Sequence, residues 1–507
     1  MKNSFAKRID WIQTLVPLGS VATLVTIFLL YPQKSTYFLQ SLRVSVGEHF
    51  GWYYILLGMG IFITTLIIAF SRYGEIRLGN DSKPKYSNIQ WGMMIFTSTM
   101  SADIIFYALT EWTMYAREHF IQQKSGGLGV WTLSYSLFHW GPIAWSFYIV
   151  LAVAFAFMIH VRQKNRQKFS EAVRPLLGQK TDGLIGKLIN LVAIFALIAG
   201  TATTFSISMP LLSAALSKIL GITDSVYLSV GVLLAIALVY TVNVLLGMKA
   251  ISRLSSYCVI LFLILIGYFF FAGGKEIYIL DNGVAALGNL VQNFIGMATW
   301  TDPLRQSNFV QNWTIYYWSY WLVWCTATPF FIATISKGRT IKNLILGAYG
   351  WGLSGTALAF VTLSNYGLGK YLQDGLVIYK LIDKGNSYVE IAMKVLETLP
   401  FHNVILLILI LTMMGMYATV FESITMVVST YSYKELKVDE LPDRKIRAFW
   451  AITFIILPIT LLFMKQSIYS LQSVAIIFAF PISVVVLMIV TSFFKDGKKY
   501  LDELVDR

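Results

Sequence analysis

Residues 13–31 read QTLVPLGSVATLVTIFLLY, a run from Gln13 to Tyr31 without a single charge. A helix needs about 20 predominantly apolar residues to cross the hydrocarbon core of a bilayer. This run is longer than the core of a signal peptide and lacks a small-residue cleavage site, so it is expected to stay in the protein as a helix. The same window, moved along the chain, finds twelve such runs, centred near residues 22, 61, 103, 147, 195, 235, 264, 325, 353, 417, 456 and 484. Composition points the same way. Of 507 residues, 56% are hydrophobic and 13% charged, against about 25% charged in soluble domains. An aromatic content of 15% excludes a disordered linker protein. The reading is an all-α integral membrane protein.

Loop charges set the expected topology. Lys and Arg concentrate on cytoplasmic loops. With the N-terminus inside and alternate loops cytoplasmic, the inside segments hold most of the 40 basic residues: Lys2 to Arg8, Arg72 to Lys85, Arg162 to Lys187, Lys249 and Arg253, Lys337 to Lys342, Lys434 to Arg447, and Lys495 to Arg507. Twelve spans with both termini cytoplasmic, in the cell membrane, fit this pattern. The net charge of +14 is then a topology signal with some attraction to anionic lipid headgroups. It is divided among many short loops, which argues against nucleic-acid binding. Cys258 and Cys325 both sit in apolar runs, and the five histidines show no metal-ligand spacing. No disulfide framework, metal or cofactor is expected. Two outside loops are long. One contains an apolar stretch, Gly283 to Met297, expected to lie along the interface as a helix. The other, about Asn365 to His402, sets Ile378, Leu381 and Ile382 against Lys380, Asp383 and Lys384, as an amphipathic helix would.

Ionisable groups and helix breakers are expensive in a bilayer and tend to mark function. Thr97-Ser98-Thr99-Met100-Ser101-Ala102-Asp103 is rich in small and polar side chains, so the third span is expected to unwind there and offer carbonyls to a cation. Asp103 lies mid-span, and Glu111 follows nearer the outer interface. Each reads either as a structural acid bonded to a neighbouring helix or as a substrate or proton site. In Phe138-His139-Trp140-Gly141-Pro142, with Trp145 and Tyr148 following, Gly-Pro breaks an apolar run. In Tyr316 to Trp324, the side chains of Tyr317, Tyr320, Trp321 and Trp324 share one helix face. Such aromatics usually belong to an interfacial belt. Two clusters together also suit a cage for a quaternary ammonium group, because Trp and Tyr faces attract cations at up to about 2 kcal/mol per desolvated contact.

At these clusters the sequence resembles the betaine–choline–carnitine transporter family. Ser136 to Pro142 with Trp145 and Tyr148 is similar to that family's fourth-helix motif. Tyr317-Trp318-Ser319-Tyr320-Trp321, running on to Ile335-Ser336-Lys337-Gly338-Arg339-Thr340, is similar to its eighth-helix signature. The resemblance implies two inverted five-helix repeats, a LeuT-like arrangement, preceded by two helices. It divides the chain into residues 1–90 with spans 1 and 2, a first repeat at 91–275 (spans 3 to 7), an external loop with an interfacial helix at 276–312, a second repeat at 313–495 (spans 8 to 12) and a short cytoplasmic tail at 496–507. It also implies a homotrimer. Carried over residue by residue, it assigns the substrate box to Trp140, Trp145, Tyr148 and Trp321, places Trp324 on the path to the cytoplasm, and finds Tyr320 where a Trp is usual.

The departures concern coupling. The family's glycine-rich third-helix stretch appears here as Thr99 to Asp103, Ser/Ala-rich as in sodium-independent carnitine exchangers, while the final aspartate resembles proton-coupled choline carriers. The Thr-Ser pair expected at a sodium site in the tenth span appears as Thr419-Val420, and Glu422 stands where an Asp is usual. The tail lacks the charged extension of osmotically regulated members. The expected function is secondary active transport of a quaternary ammonium compound by alternating access, sodium-independent and proton-coupled. Choline is favoured over betaine or carnitine, because ionised Asp103 attracts a net cation and repels a carboxylate. A carnitine-type exchanger is the alternative. A membrane-embedded enzyme using His139 as base lacks a nucleophile or a second catalytic group. The coupling candidates are Asp103, Glu111, Thr419 and Glu422.

Overall fold

The computed structural model describes residues 7–80, 83–99, 102–164, 166–246, 248–375, 387–436, 440–464 and 468–506. Helices dominate these residues. In chain order the main ones are α1 (Trp11–Leu30), α2 (Pro32–Ala69), α3 (Asn88–Thr99), α4 (Ala102–Ala116), α5 (Leu128–His139), α6 (Pro142–Ala156), α7 (Leu184–Leu220), α8 (Val226–Leu246) and α9 (Met248–Ala272). They continue with α10 (Glu276–Thr299), α11 (Ile315–Trp324), α12 (Pro329–Ile335), α13 (Ile341–Ala359), α14 (Asn365–Leu372), α15 (Tyr388–Glu397), α16 (His402–Tyr431), α17 (Arg444–Phe463) and α18 (Ile468–Val505).

Among the described residues, eight helical segments are long and apolar enough to cross a membrane, and a bent pair raises this to nine. The remaining apolar windows fall on shorter or broken helices: α3 with α4, α8, and α11 with α12. Large apolar side chains are exposed along many of these segments, including Leu30, Leu56, Ile67, Leu238 and Phe271. In water such a surface would aggregate. In lipid it is the outer face of an integral membrane protein.

Seven of the loops and ends rich in Lys and Arg were assigned to one side, and the described contacts gather several of them at one end of the bundle. Asp10 N–H donates to the Ser432 carbonyl at 2.8 Å, and Lys434 N–H to that of Arg8 at 2.9 Å. Leu78 N–H donates to Arg339 at 2.8 Å. Arg162 pairs with Asp496 and Glu503, and Arg166 with Glu435. At the far end Lys275 meets Asp374 and Lys218 meets Glu397.

Three boundaries differ from the sequence reading. The interfacial segment is longer than Gly283–Met297 and forms all of α10, bent by 110° from the helix before it. Gly273 and Gly274 make this bend: a Cβ on Gly273 would lie 2.4 Å from the Tyr366 ring, and Gly274 has φ +66. Ile277, Val284 and Val291 form an exposed apolar stripe along α10. The ninth span continues through a π-helical turn at Phe360–Ser364 into α14, so the loop expected from Asn365 begins as helix. Residues 496–505 extend α18, because its acidic face is held by Arg162. The amphipathic segment around Ile378 to Lys384 lies outside the described residues. So do Met100 and Ser101 of the stretch Thr97 to Asp103, where unwinding of the third span was expected; Thr97–Thr99 and Ala102–Asp103 on either side are helical.

α7 sits at the centre, packed by α8, α11, α16, α17 and α18. Its hydroxyl-rich stretch Thr201 to Ser208 is wholly buried.

Candidate substrate site

The site is built where α5 gives way to α6. Pro142 has no N–H to return to the preceding turn. Gly141 fits the break because a Cβ there would lie 2.3 Å from the Leu137 carbonyl oxygen. A freed carbonyl inside a bilayer must find another donor. Trp321 Nε1 donates to the His139 carbonyl at 3.1 Å, and Thr356 Oγ1 to that of Trp140 at 3.3 Å. The Gly-Pro break therefore also positions the Trp321 indole.

Around Trp321 the ring centroids of Trp140, Tyr148 and Trp145 lie at 5.5, 5.2 and 5.9 Å. Gly352 makes room for Trp145, since a Cβ there would lie 2.4 Å from its indole. Trp140, Tyr148, Tyr320, Trp321 and Trp324 line a cavity of about 50 Å³ together with Asp103, Val420 and Ser423. Trp145 stands behind Trp321 and Tyr148, outside that lining. Tyr317, on the same helix face, turns instead to stack on His139 with 4.8 Å between centroids.

Asp103 lies in the first turn of α4, where the helix dipole favours negative charge. Its carboxylate accepts hydrogen bonds from Thr204 Oγ1 at 2.9 Å, Tyr417 OH at 2.9 Å and Tyr320 OH. Tyr417 also bonds Ser208, and Trp324 Nε1 donates to Thr204 Oγ1 at 3.2 Å. Thr204, Ser208 and Tyr417 were missed in the sequence. The hydroxyl run from Thr201 to Ser208 in an apolar span was the signal for the first two. Phe360, whose ring centroid lies 5.3 Å from that of Trp140, was also missed.

Glu111, expected nearer the outer interface, is fully buried within the protein beside the Trp140 indole. Trp140 Nε1 donates to Glu111 Oε2 at 2.8 Å. The hydroxyls of Tyr115, Tyr317 and Ser136 face the same carboxyl, yet Oε1 accepts no bond from the described residues. The sequence-derived candidates on α16 point elsewhere. Thr419 donates back to the Met416 carbonyl at 2.8 Å. Glu422 is buried where the charge of Arg447 reaches it. Val420, Ser423 and Ile424 take the cavity face instead. Both ring nitrogens of His139 are engaged, with Tyr115 OH at 2.6 Å and Thr314 Oγ1 at 3.0 Å.

An aromatic-lined cavity at a helix break within a many-helix membrane protein fits a transporter of small solutes. The chain belongs to the betaine/carnitine/choline transporter family, BCCT, whose sequence model matches residues 13–501. Members of this family are transporters, not enzymes. The chain is 25% identical to a carnitine transporter of Acinetobacter baumannii over 84% of its own length and 78% of the relative's. It is 29% identical to a probable glycine betaine transporter of Desulfitobacterium hafniense, covering 88% and 89%. It is 27% identical to a high-affinity choline transport protein of Escherichia coli, covering 89% and 67%.

Proposed function

We propose that the protein carries a trimethylammonium compound across the cytoplasmic membrane by alternating access, with choline as the favoured cargo and betaine or carnitine as the alternatives. The observation that carries this reading is the convergence of Trp140, Tyr148, Trp321 and Trp324 with the Asp103 carboxylate on one cavity. Ring faces attract a cation that cannot hydrogen-bond, each desolvated contact contributing up to about 2 kcal/mol. An ionised carboxylate adds attraction for a net cation and repels the carboxylate of betaine or carnitine. The family membership supports the cargo class, and the relatives' names include all three compounds.

In this reading twelve spans form two inverted five-helix repeats after two leading helices, both termini are cytoplasmic, and the protein is a homotrimer. The residue bounds are those given from the sequence, with residues 496–505 forming the helical end of α18 and the stripe of α10 lying along the interface. Transport is sodium-independent and coupled to protons through Asp103, and Thr419 and Glu422 face away from the cavity, as a lost sodium site allows. The hydroxyl shell of Asp103 favours one second reading: an acid already bonded to Thr204, Tyr320 and Tyr417 serves structure, and the protein is then an exchanger of the carnitine type.

Radiolabelled choline uptake into proteoliposomes separates these readings. Proton-driven accumulation without sodium, competed by unlabelled betaine or carnitine more weakly than by choline, is the expected result. Entry only against preloaded internal substrate would establish exchange. Trp321→Ala is expected to weaken binding at least about tenfold, about 1.4 kcal/mol, and unchanged affinity would remove Trp321 from the box.

A further inference from the structure

A second, larger cavity lies at the end of the bundle where the basic loops gather, remote from the aromatic cage. Its volume is about 430 Å³, within the range of about 300–1,000 Å³ usual for ligand pockets. Five cationic side chains line it, Arg162, Lys164, Arg174, Lys495 and Lys499, against two carboxylates, Glu171 and Asp496. The carboxylates are already used. Asp496 pairs with Arg162 at 2.9 Å, and Glu171 with Arg174 at 2.8 Å. Each arginine also holds an acid from outside the lining, Glu503 for Arg162 and Asp182 for Arg174.

The three lysines are different. Lys164 follows the π-helical turn Phe157–Val161, and Lys495 and Lys499 stand one turn apart on α18. All three are exposed, and none makes an ion pair or side-chain hydrogen bond among the described residues. Three positive charges therefore face one concavity with no carboxylate left to neutralise them. Apart from Ser492, its remaining wall is apolar, with Phe157, Met158 and Phe493.

We propose that this cavity binds a phosphate-bearing anion, its charge held by Lys164, Lys495 and Lys499 and its apolar part against Phe157, Met158 and Phe493. Lysine ammonium groups bind phosphate as point charges with freely rotating donors, and the two arginines, fixed by their acids, shape the rim. Two sources share this chemistry. An anionic phospholipid can reach the cavity along the apolar face of α18, where Val484 and Leu487 are exposed. A soluble phosphate ester can enter from the aqueous side. The inference does not depend on which solute is transported.

The test is thermal unfolding of the purified full-length protein in detergent, titrated separately with dioleoylphosphatidylglycerol, dioleoylphosphatidylcholine and glycerol 3-phosphate. A ligand that binds only the folded state raises the midpoint with concentration. Dioleoylphosphatidylglycerol is expected to raise it and the zwitterionic lipid to leave it unchanged. In the variant K164Q/K495Q/K499Q the half-saturating lipid concentration is expected to rise at least tenfold, and in K164R/K495R/K499R to stay within threefold of the wild type. A cooperative unfolding transition in the absence of lipid, with a midpoint close to that of the wild type, verifies the fold of the glutamine variant; if that variant does not fold, K499Q alone is expected to show a threefold rise. A matching shift with glycerol 3-phosphate identifies a soluble ester as the source. Equal shifts with both lipids, no shift with any phosphate compound, or an unchanged response in the folded glutamine variant would overturn the proposal.

Discussion

Asp103 and Glu111 share α4, stand about two turns apart and are both buried, yet the donors that bond them differ in kind. Asp103 is met by hydroxyls, from Thr204, Tyr320 and Tyr417. Glu111 accepts its one hydrogen bond among the described residues from an indole, Trp140 Nε1 at 2.8 Å, although the hydroxyls of Tyr115, Tyr317 and Ser136 also face it. A hydroxyl both donates and accepts, whereas an indole N–H only donates. The shell of Asp103 can therefore turn to suit either a carboxylate or a carboxylic acid without leaving a hydrogen stranded. Glu111 must present an acceptor to Trp140 in any state. One acid is surrounded by adaptable partners at the cavity, and the other holds a wall of that cavity in place. The separation of roles comes from donor chemistry, not from burial, which the two share.

The largest expected effect tests the first half of this comparison. Asp103→Ala leaves several buried hydroxyls without their acceptor, of order 1–3 kcal/mol for each group left unpaired, and choline uptake is expected to fall by about a hundredfold or more, with 1.4 kcal/mol per tenfold. Asp103→Asn preserves the shape and is expected to remove the pH dependence of uptake. Persistent pH dependence in that variant would move the proton carrier elsewhere.

Glu111→Ala comes next. It strands Trp140 Nε1 in a buried position, a loss of about 1–3 kcal/mol, visible as a lower unfolding midpoint and weaker substrate binding. Trp140→Phe in the same background removes the orphaned donor, so the double variant is expected to be more stable than Glu111→Ala alone, a coupling that a double-mutant cycle measures. Additive losses would mean that the Glu111–Trp140 bond is not what fixes the ring.

A smaller effect is expected from Glu111→Gln, whose amide oxygen still accepts from Trp140. Uptake should stay within about threefold of the wild type, under about 0.7 kcal/mol by the same conversion, with its pH profile unchanged. A flattened profile would exchange the roles of the two acids.

The smallest effect concerns a buried charge outside the spans. Burial lowers the Lys168 ammonium to a pKa of about 8, opposed in part by Asp10, and its Nζ donates to the Tyr433 carbonyl. The unfolded chain, with an ordinary lysine value of about 10.4, binds the proton more tightly, so this group makes stability rise with pH between about 8 and 10. Lys168→Met is expected to reduce that slope in unfolding midpoints measured across this range.

The fold was largely legible because a bilayer imposes length and polarity on each segment, and the break at Gly141-Pro142 could be read from two residues. That Trp140, Trp145, Tyr148 and Trp321 come together was legible through their clustering in sequence. Tyr417 was not: a lone tyrosine in an apolar run looks like any interfacial ring, and it reaches Asp103 only through the packing of α16 on α7 and α4. Thr419 and Glu422 show the limit set by helical phase. Each residue step turns a helix by about 100°, so motif position alone does not tell which of Thr419, Val420, Glu422 and Ser423 faces the cavity. The enclosure of Glu111 was not legible, because its position along the span says nothing of how far the Trp140 side chain extends over it.

The bond from Trp321 Nε1 to the His139 carbonyl acts as a mechanical tie between α11 and the broken end of α5. If Trp321 swung away alone, it would strand the His139 carbonyl at the open C-terminal end of α5. The cheaper motion carries the ring and the break as one piece. In the proposed alternating access, Tyr320 and Trp324 travel with that piece on α11, and the cavity wall left to slide past it is α16, with Val420 and Ser423.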